Sequence, residues 1–488
     1  MNRPLRVPLT LLASFAVVGA SWASSSVQAT TQHGPRLRVF APVSSVTDYR
    51  YSTKQKIYVD SGLWVSASDS TFEVIAHRDT YSSAVVATQI IDPGTSARQV
   101  ALPDRVVADQ WSGFRRFFDA TVTGPTGDVV FQKSLPFCPD SWNVQRADAS
   151  GPMTSTFPQG CYTNPFTTGV VWGIDQGWAV GALDMARIRF PGPDGTYTVH
   201  LEISPLYQRL FGIAPADASA TIDEVVSTNP SGCPPFCAPA TGATATTASS
   251  SALPTRTNPR PSTLPDLVAL PAWGMSIDEY SEPGRDFLDF GATVWDAGPA
   301  PMVVEGFRRT RTNIMDAWQT FYRGDKPVAR APVGTLVYDS DPGHEHWHFK
   351  QFAAYRLLGA DKQQVVRSQK TGFCLAPTDA IDLTVQGAKW NPGALGLGSA
   401  CGDASAIWIR ESLPTGWGDT YFQGLPGQSF DVTDLPNGTY FIQVQADPTG
   451  EIYERSSAND SRLRKVILGG VAGARTVTVP PWHGIDTG

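Results

Sequence analysis

The sequence is poor in charged residues and contains few histidines and cysteines. Only 17% of its 488 residues are charged, and the net charge of −7 provides no basic surface for nucleic acid. None of the six cysteines stands in a CxxC pair, which argues against a thiolate zinc site. The N-terminal apolar run, Val7–Val18, is too short to span a bilayer comfortably. These absences argue against nucleic-acid binding, a zinc-thiolate protein and stable membrane insertion.

Glycine and proline are abundant, with 44 and 39 residues, and this composition favours strands joined by many turns over helical bundles. Short alternating runs such as Leu37–Phe40 and Phe72–Ile75 are separated by turn residues. Similar strand candidates follow at Phe287–Val294 and Tyr440–Gln445. We therefore predict an all-β protein with two β-sandwich-like regions.

The chain start has the order of a secretory signal. Arg3 and Arg6 precede the apolar run, and small residues follow as far as Ala23 or Ala29. We predict a signal peptide over residues 1–29 and a secreted mature protein, and we expect no stable membrane insertion.

Composition then divides the mature chain. A β-sandwich-like region is predicted over 30–226 and a second β-rich region over 264–470. Residues 227–263 between them are rich in Pro, Thr, Ala and Ser, which cannot bury a core, so they are predicted to be a disordered linker. The last residues, 471–488, are expected to form a loose tail.

An even number of cysteines fits an exported protein, because disulfides persist outside the cytosol. Six cysteines allow 15 connectivities. Their placement suggests three local pairs: Cys138 with Cys161, Cys233 with Cys237, and Cys374 with Cys401.

Three of the seven histidines, His344, His346 and His348, stand at alternate positions. Side chains alternate between the faces of a strand, so the three imidazoles would project together while Glu345 and Trp347 point the other way. Neutral imidazole suits copper, zinc, nickel or iron. The pattern predicts a metal site but does not name the metal.

From about Leu264 to Gly470 the chain resembles the lysyl oxidase family, copper amine oxidases with a lysine tyrosylquinone cofactor. The resemblance lies in four stretches that occur in the family's order: His344–His348 with Phe352–Leu358, Lys370–Leu375, Gly416–Tyr421, and Phe430–Tyr440. Each of these short patterns alone would be weak evidence. The occurrence of all four in the same order is much more specific.

The resemblance implies a role for each matching residue. His344, His346 and His348 would bind copper, and Lys370 and Tyr421 would form the two halves of the quinone. Burial would help Lys370 to lose its proton, because desolvation lowers a lysine pKa. A Cys374–Cys401 disulfide would restrain the backbone beside Lys370.

The chain departs from the animal members at two histidines. One precedes their copper ligands, where this chain has Asp341, and one follows, where this chain has Ala354 or Tyr355. If either histidine transfers a proton in the animal enzymes, another group must do so in this chain. Asp341 and Asp419 are the predicted candidates for a carboxylate base.

The implied reaction is oxidative deamination of a primary amine, either peptidyl lysine or a small amine, to an aldehyde. Dioxygen would be consumed, and hydrogen peroxide and ammonia released. Two alternatives stay open: a secreted metal-binding β-sandwich protein without oxidase activity, and a three-histidine zinc hydrolase. Neither alternative explains Lys370 and Tyr421.

Overall fold

The computed structural model describes residues 35–228 and 253–487, with gaps at 60–61, 94–96, 104–105, 185, 187, 279–281, 310, 342–343, 369 and 426. The predicted signal peptide and the predicted Cys233–Cys237 pair lie outside the described residues. Among the described helices, none has the length and apolar character needed to cross a membrane.

The described part of the N-terminal region consists mainly of short strands with one α-helix, α1, at Pro205–Phe211. Its strands are β1 (Leu37–Phe40), β2 (Ser45–Arg50), β3 (Ile57–Val59), β4 (Trp64–Ala67), β5 (Phe72–His77), β6 (Val86–Ile91), β7 (Arg98–Ala101), β8 (Phe114–Thr123), β9 (Val129–Phe137), β10 (Val144–Arg146), β11 (Gly169–Ile174), β12 (Trp178–Gly181), β13 (Ile188–Phe190), β14 (Gly195–Ile203) and β15 (Ser219–Thr228).

These strands form four sheets, in the orders β1-β4-β12-β10, β11-β5-β6-β7, β13-β3 and β2-β15-β14-β8-β9. Alternation along β14 shows why the sequence folds this way, since every second side chain from Tyr197 to Ile203 is buried. The Cys138–Cys161 disulfide forms as predicted.

The C-terminal region is also built from strands. They are β16 (Leu267–Ala269), β17 (Trp273–Asp278), β18 (Phe287–Asp296), β19 (Met302–Arg308), β20 (Ile314–Arg323), β21 (Lys326–Asp339), β22 (His346–Phe349), β23 (Ala353–Leu358), β24 (Gln364–Arg367), β25 (Asp379–Ala380), β26 (Trp408–Leu413), β27 (Trp417–Tyr421), β28 (Ser429–Asp431), β29 (Gly438–Ala446), β30 (Ser461–Val471) and β31 (Ala474–Thr478).

Three sheets result, and each contributes to the candidate site or supports it. The first has the order β16-β18-β27-β25, with β17 and β28 also paired to β18. The second has the order β22-β21-β20-β19-β26, and the third β24-β23-β29-β30-β31. The described fold therefore confirms the all-β prediction.

Both ends of the predicted linker have defined structure. Ser227 and Thr228 belong to β15, and Thr255 forms a bridge with Arg330 of β21. Residues 229–252 lie outside the described residues. The domain boundaries proposed from composition remain a prediction.

The expectation of a loose C-terminal tail is wrong for the described residues. Strand β31 pairs with β30. The ring centre of Trp482 lies 5.2 Å from the ring centre of Tyr81 and 5.5 Å from that of Phe166. A large aromatic side chain in the tail can bury apolar area, and this outweighs the low order that chain ends usually have.

The N-terminal region contacts the strand that flanks β27. The Thr167 hydroxyl donates a hydrogen bond of 2.7 Å to the Ala380 carbonyl, and the Asn391 amide donates one of 2.8 Å to the Ser155 carbonyl. Because Ala380 of β25 is paired to Trp417 of β27, these contacts support the sheet that presents the candidate site.

A buried apolar cluster joins the two regions at the same place. Phe166 is fully buried and packs with Leu270 and Ile381. We expect Phe166→Ala to lower the free energy of unfolding by about 3–5 kcal/mol, because it removes a large ring and leaves a cavity. Urea denaturation measures this, and the exposed Val129→Ala is the control, expected to change stability by less than about 0.5 kcal/mol. Equal unfolding midpoints for the two variants would contradict the packing described.

Candidate metal and cofactor site

Strand β22 presents two of the three clustered histidines on one face. His346 and His348 lie opposite Asp339 and Val337 of β21, while Trp347 between them points into the core and is fully buried. The Trp347 indole donates a hydrogen bond of 2.9 Å to the Asp403 carbonyl. The alternation predicted from the sequence therefore holds for His346 and His348.

His344 reaches the same place by a different route, so the predicted reason for its position is wrong. Strand β22 begins at His346, and Glu345 has a φ of +35°, which is outside strand geometry. Just before it, the His344 N–H donates a hydrogen bond of 2.9 Å to the Asp341 carbonyl. The ring centre of His344 still lies 5.3 Å from that of His348.

His344 and His348 belong to a group of ligand atoms close enough to hold one metal ion, and His346 adjoins this group through His348. Nε2 of His346 and Nε2 of His348 are 2.9 Å apart, and Nε2 of His344 is buried without a hydrogen-bond partner among the described residues. Burial, followed by the neighbouring histidines, lowers the pKa of His346 and lowers that of His348 to about 3. Neutral imidazoles of this kind suit copper, zinc or other late first-row ions.

Asp339 is a member of the cluster that the sequence reasoning missed. Its Oδ2 lies 2.8 Å from Nδ1 of His344 and 3.4 Å from Nδ1 of His348, and a ligand atom of each of the three residues lies within 4.8 Å of the others. Burial raises the pKa of the Asp339 carboxyl, but hydrogen bonds from the Asp341 N–H and from His344 outweigh it, so the net pKa is lowered. The only sequence signal was a carboxylate at the end of a strand candidate.

Lys370 and Tyr421 lie together, although 51 positions separate them in the sequence. The Lys370 Nζ is 4.5 Å from the centre of the Tyr421 ring, and 5.6 Å from that of Phe373. Burial lowers the pKa of the Lys370 ammonium, and Asp419 and Asp339 only partly oppose this. A lysine with a lowered pKa beside a phenol ring is arranged to act as a nucleophile.

Two neighbouring residues contact Tyr421, one at its hydroxyl and one at its ring. Its hydroxyl accepts a hydrogen bond of 2.8 Å from the Cys374 N–H and donates one of 3.1 Å to the Cys374 carbonyl. Phe373 contacts the ring edge-on, with centres 5.1 Å apart. Burial and the nearby Asp419 carboxyl raise the pKa of Tyr421 well above its usual value.

Disulfide Cys374–Cys401 forms as predicted and ties the two halves of the site together. Cys374 contacts the Tyr421 hydroxyl, and the Cys401 carbonyl accepts a 2.9 Å hydrogen bond from the Trp347 N–H on the histidine strand. The cross-link therefore connects the backbone beside Lys370 to the strand that presents His346 and His348.

The two predicted base candidates have different surroundings. Asp341 is exposed at the edge of the site, whereas Asp419 is 2% exposed and lies on the same face of β27 as Tyr421. Burial raises the pKa of Asp419 well above its usual value, more than the Ala376 N–H and Lys370 lower it. One oxygen of Asp419 has no hydrogen-bond partner among the described residues.

Glu411 is a second buried carboxyl that the sequence reasoning missed. It is fully buried on β26 and accepts a 3.0 Å hydrogen bond from the Leu375 N–H, next to the cysteine that holds Tyr421. Burial raises its pKa well above the usual value. Only the fold brings β26 beside the 370–375 segment, so no sequence pattern could have identified it.

A cavity of about 250 Å³ connects the histidines to the lysine. Its walls combine the metal-binding cluster, the carboxylates and the lysine segment, namely Asp339, Asp341, His344, His348, Lys370, Thr371, Gly372 and Gly427. Glycine is required at position 372, because an added Cβ would lie 2.6 Å from the His348 Cβ. The backbone beside Lys370 thus packs directly against a metal-binding imidazole.

Known proteins match this part of the chain. The model of the Lysyl oxidase family matches residues 335–472. Lysyl oxidase homolog 4 of Mus musculus is 28% identical over 118 residues, and lysyl oxidase homolog 2 of Gallus gallus is 29% identical over 119 residues. Lysyl oxidase homolog 4 of Homo sapiens is 29% identical over 118 residues.

The aligned segments cover 24% of this chain and 13–14% of these relatives. Family membership therefore extends to one segment, which begins on β21 and includes the histidines, Lys370 and Tyr421. It supports an amine oxidase of the lysyl oxidase type at the level of the family. Residues 335–472 of this chain are a domain of the lysyl oxidase family.

Proposed function

We propose that this protein is a secreted, copper-dependent amine oxidase whose cofactor is a lysine tyrosylquinone made from Lys370 and Tyr421. The observation that carries the proposal is the position of the Lys370 Nζ, 4.5 Å from the centre of the Tyr421 ring and beside three clustered histidines. The lysyl oxidase family domain supports the choice of chemistry.

Copper would be held by His344, His346 and His348. The buried Nε2 of His344 and the facing Nε2 atoms of His346 and His348 are the donors that fit it. Copper bound there would supply the redox chemistry by which dioxygen oxidises the tyrosine to a quinone, and the quinone would be the electron sink for amine oxidation.

The residues of the chain position the two halves of the cofactor. Burial favours the neutral amine of Lys370, which is the form that can add to the ring. Cys374 holds the Tyr421 hydroxyl through both backbone groups, and Phe373 packs against the ring edge. These contacts limit rotation of the ring while the bond to Lys370 forms.

The substrate is proposed to be a primary amine, either peptidyl lysine or a small amine, with dioxygen as the second substrate. Asp339 and Asp341 give the cavity an acidic wall, which favours approach of an ammonium group. Aldehyde, hydrogen peroxide and ammonia are the proposed products. Export fits the two described disulfides and the predicted signal peptide.

The proposal is tested by measuring peroxide release and oxygen consumption with an amine panel, after maturation with copper in air. We expect turnover that requires oxygen and is absent from protein matured with zinc. Peroxide-free activity that is supported by zinc would instead favour a hydrolase. Copper binding without amine turnover would favour a metal-binding protein that is not an oxidase.

Asp419 is our choice for the catalytic base, because it is buried on the Tyr421 face of β27 while Asp341 is exposed. A base acts when ionised, so turnover should rise with pH through the raised pKa of Asp419. We expect Asp419→Asn to lower kcat by about 10²–10⁴-fold and to remove this rise, with copper binding retained. A variant with near wild-type kcat and an unchanged pH profile would rule out this role.

A further inference from the structure

The Nδ1 atom of each of the three histidines faces an oxygen atom. Nδ1 of His344 contacts Asp339 at 2.8 Å, and Nδ1 of His348 lies 3.4 Å from the same carboxylate oxygen. Nδ1 of His346 contacts the His344 carbonyl. Nδ1 of His344 and Nδ1 of His346 each contact an oxygen acceptor, and Nδ1 of His348 faces the same Asp339 oxygen, so the Nε2 atoms are the nitrogens left for a metal ion.

An ionised carboxylate can only accept hydrogen bonds, so the nitrogen that faces Asp339 must carry the proton. In a neutral imidazole the other nitrogen then holds a free lone pair. For His344 this is Nε2, the buried atom that has no partner among the described residues. The contact with Asp339 thus selects the tautomer that binds a metal through Nε2.

Asp339 is itself fixed in position. Its Oδ1 accepts a hydrogen bond of 3.0 Å from the Asp341 N–H, while its Oδ2 faces the two imidazoles. The residue ends β21, where it pairs with His346 of β22. The Asp341 N–H and the pairing of β21 with β22 therefore hold this carboxylate beside the imidazoles.

We propose that Asp339 is a positioning residue of the metal centre, which accepts the Nδ1–H of His344 and faces that of His348, so that both rings present Nε2 to the ion. The inference rests on the copper site of the proposed function. In this role the Asp339 carboxylate does not bind the metal ion itself. Carboxylates that accept a hydrogen bond from a metal-binding histidine orient the imidazole ring and make it a stronger donor. Direct coordination by Asp339 is the competing arrangement, because its oxygen also lies within the cluster.

The test uses the full-length protein prepared without metal and titrated with copper(II) against a competing chelator. We expect Asp339→Ala to weaken copper binding by about 10–100-fold. Asp339→Asn should lose less affinity, because the amide oxygen can still accept the Nδ1–H of His344. The matched control is Asp341→Asn, which removes the same charge from the same cavity and should change the affinity by less than about threefold.

Pulsed electron paramagnetic resonance provides a second measurement, because it detects the remote nitrogen of a copper-bound imidazole. We expect the remote-nitrogen frequencies to shift in Asp339→Ala and to stay unchanged in Asp341→Asn. A changed equatorial donor set in Asp339→Asn would instead assign Asp339 as a ligand and overturn the positioning role. Equal copper affinities for Asp339→Ala and Asp341→Asn, with unshifted frequencies, would also overturn it.

The two levels of the proposal fail separately. Wild-type protein that does not bind copper would contradict the metal assignment of the proposed function. Wild-type binding that is insensitive to Asp339→Ala would contradict only the inference about Asp339. If Asp339→Ala does not fold, as judged by circular dichroism, Asp339→Asn is the variant that decides, because it preserves the size of the side chain and an acceptor oxygen.

Discussion

Replacing Lys370 by alanine is expected to abolish amine oxidation. The lysine Nζ lies 4.5 Å from the Tyr421 ring centre and would form the covalent link of the quinone, so the variant has no group to add to the ring. The variant removes a positive charge that only lowers the pKa of His346 and His348, so copper binding should be retained. Peroxide release, measured after copper loading in air, tests the first expectation, and copper stoichiometry tests the second.

Lys350 provides a matched control for that variant. It lies on the same edge of the site, where its Nζ is 3.5 Å from the Thr371 hydroxyl, but it does not contact the Tyr421 ring. Lys350→Ala should keep turnover within a few-fold of the wild type, because Lys350 is only partly buried and has the smallest influence on the pKa of Lys370 among the charges near it. Tyr421→Phe should match Lys370→Ala, since it removes the phenol oxygen from which the quinone forms. Unchanged turnover in Lys370→Ala would contradict the proposed cofactor.

Replacing His346 by alanine is expected to have the second large effect, loss of copper and with it failure to form the cofactor. Its Nε2 lies 2.9 Å from that of His348, so the variant removes one of the facing donors. The loss of affinity should exceed the 10–100-fold expected for a partner outside the ligand shell. His200→Ala is the control, because His200 lies on β14 and contacts Thr221 rather than the cluster. Equal copper affinities in the two variants would contradict the assignment of His346.

The sequence was most informative where local periodicity decides the structure. Alternation predicted the shared face of His346 and His348 and the opposite direction of Trp347, whose burial the structure then shows. The same rule failed one residue earlier, at Glu345, because a positive φ outside glycine is uncommon and leaves no sequence signal. His344 joins the cluster from outside β22, which periodicity could not predict.

Contacts between distant segments were beyond any local pattern. Asp339 is five positions from His344, yet its role depends on the pairing of β21 with β22. Glu411 lies on β26 and reaches the Leu375 N–H only because the fold brings these segments together. The adjacency of Lys370 and Tyr421 was expected solely from the family resemblance, since neither residue type indicates a site by itself.

Composition did not predict the contacts made by the described end of the linker or by the chain end. Residues 253–263 share the polar, proline-rich character of the predicted linker, but Thr255 and Arg256 form backbone contacts with Arg330 of β21. The tail was expected to be loose, and the packing of Trp482 against Phe166 shows how one aromatic side chain can anchor a terminal segment. Low apolar content predicts that a segment has no core of its own, and it does not predict that the segment avoids its neighbours.

The most direct test of the proposed cofactor is peptide mass spectrometry on protein matured with copper in air. We predict one covalent species that contains both the Lys370 peptide and the Tyr421 peptide, with trypsin no longer cleaving after Lys370. Protein kept free of copper should yield the two peptides separately. Two separate peptides from protein that holds stoichiometric copper would contradict the lysine tyrosylquinone and favour a metal-binding protein without oxidase activity.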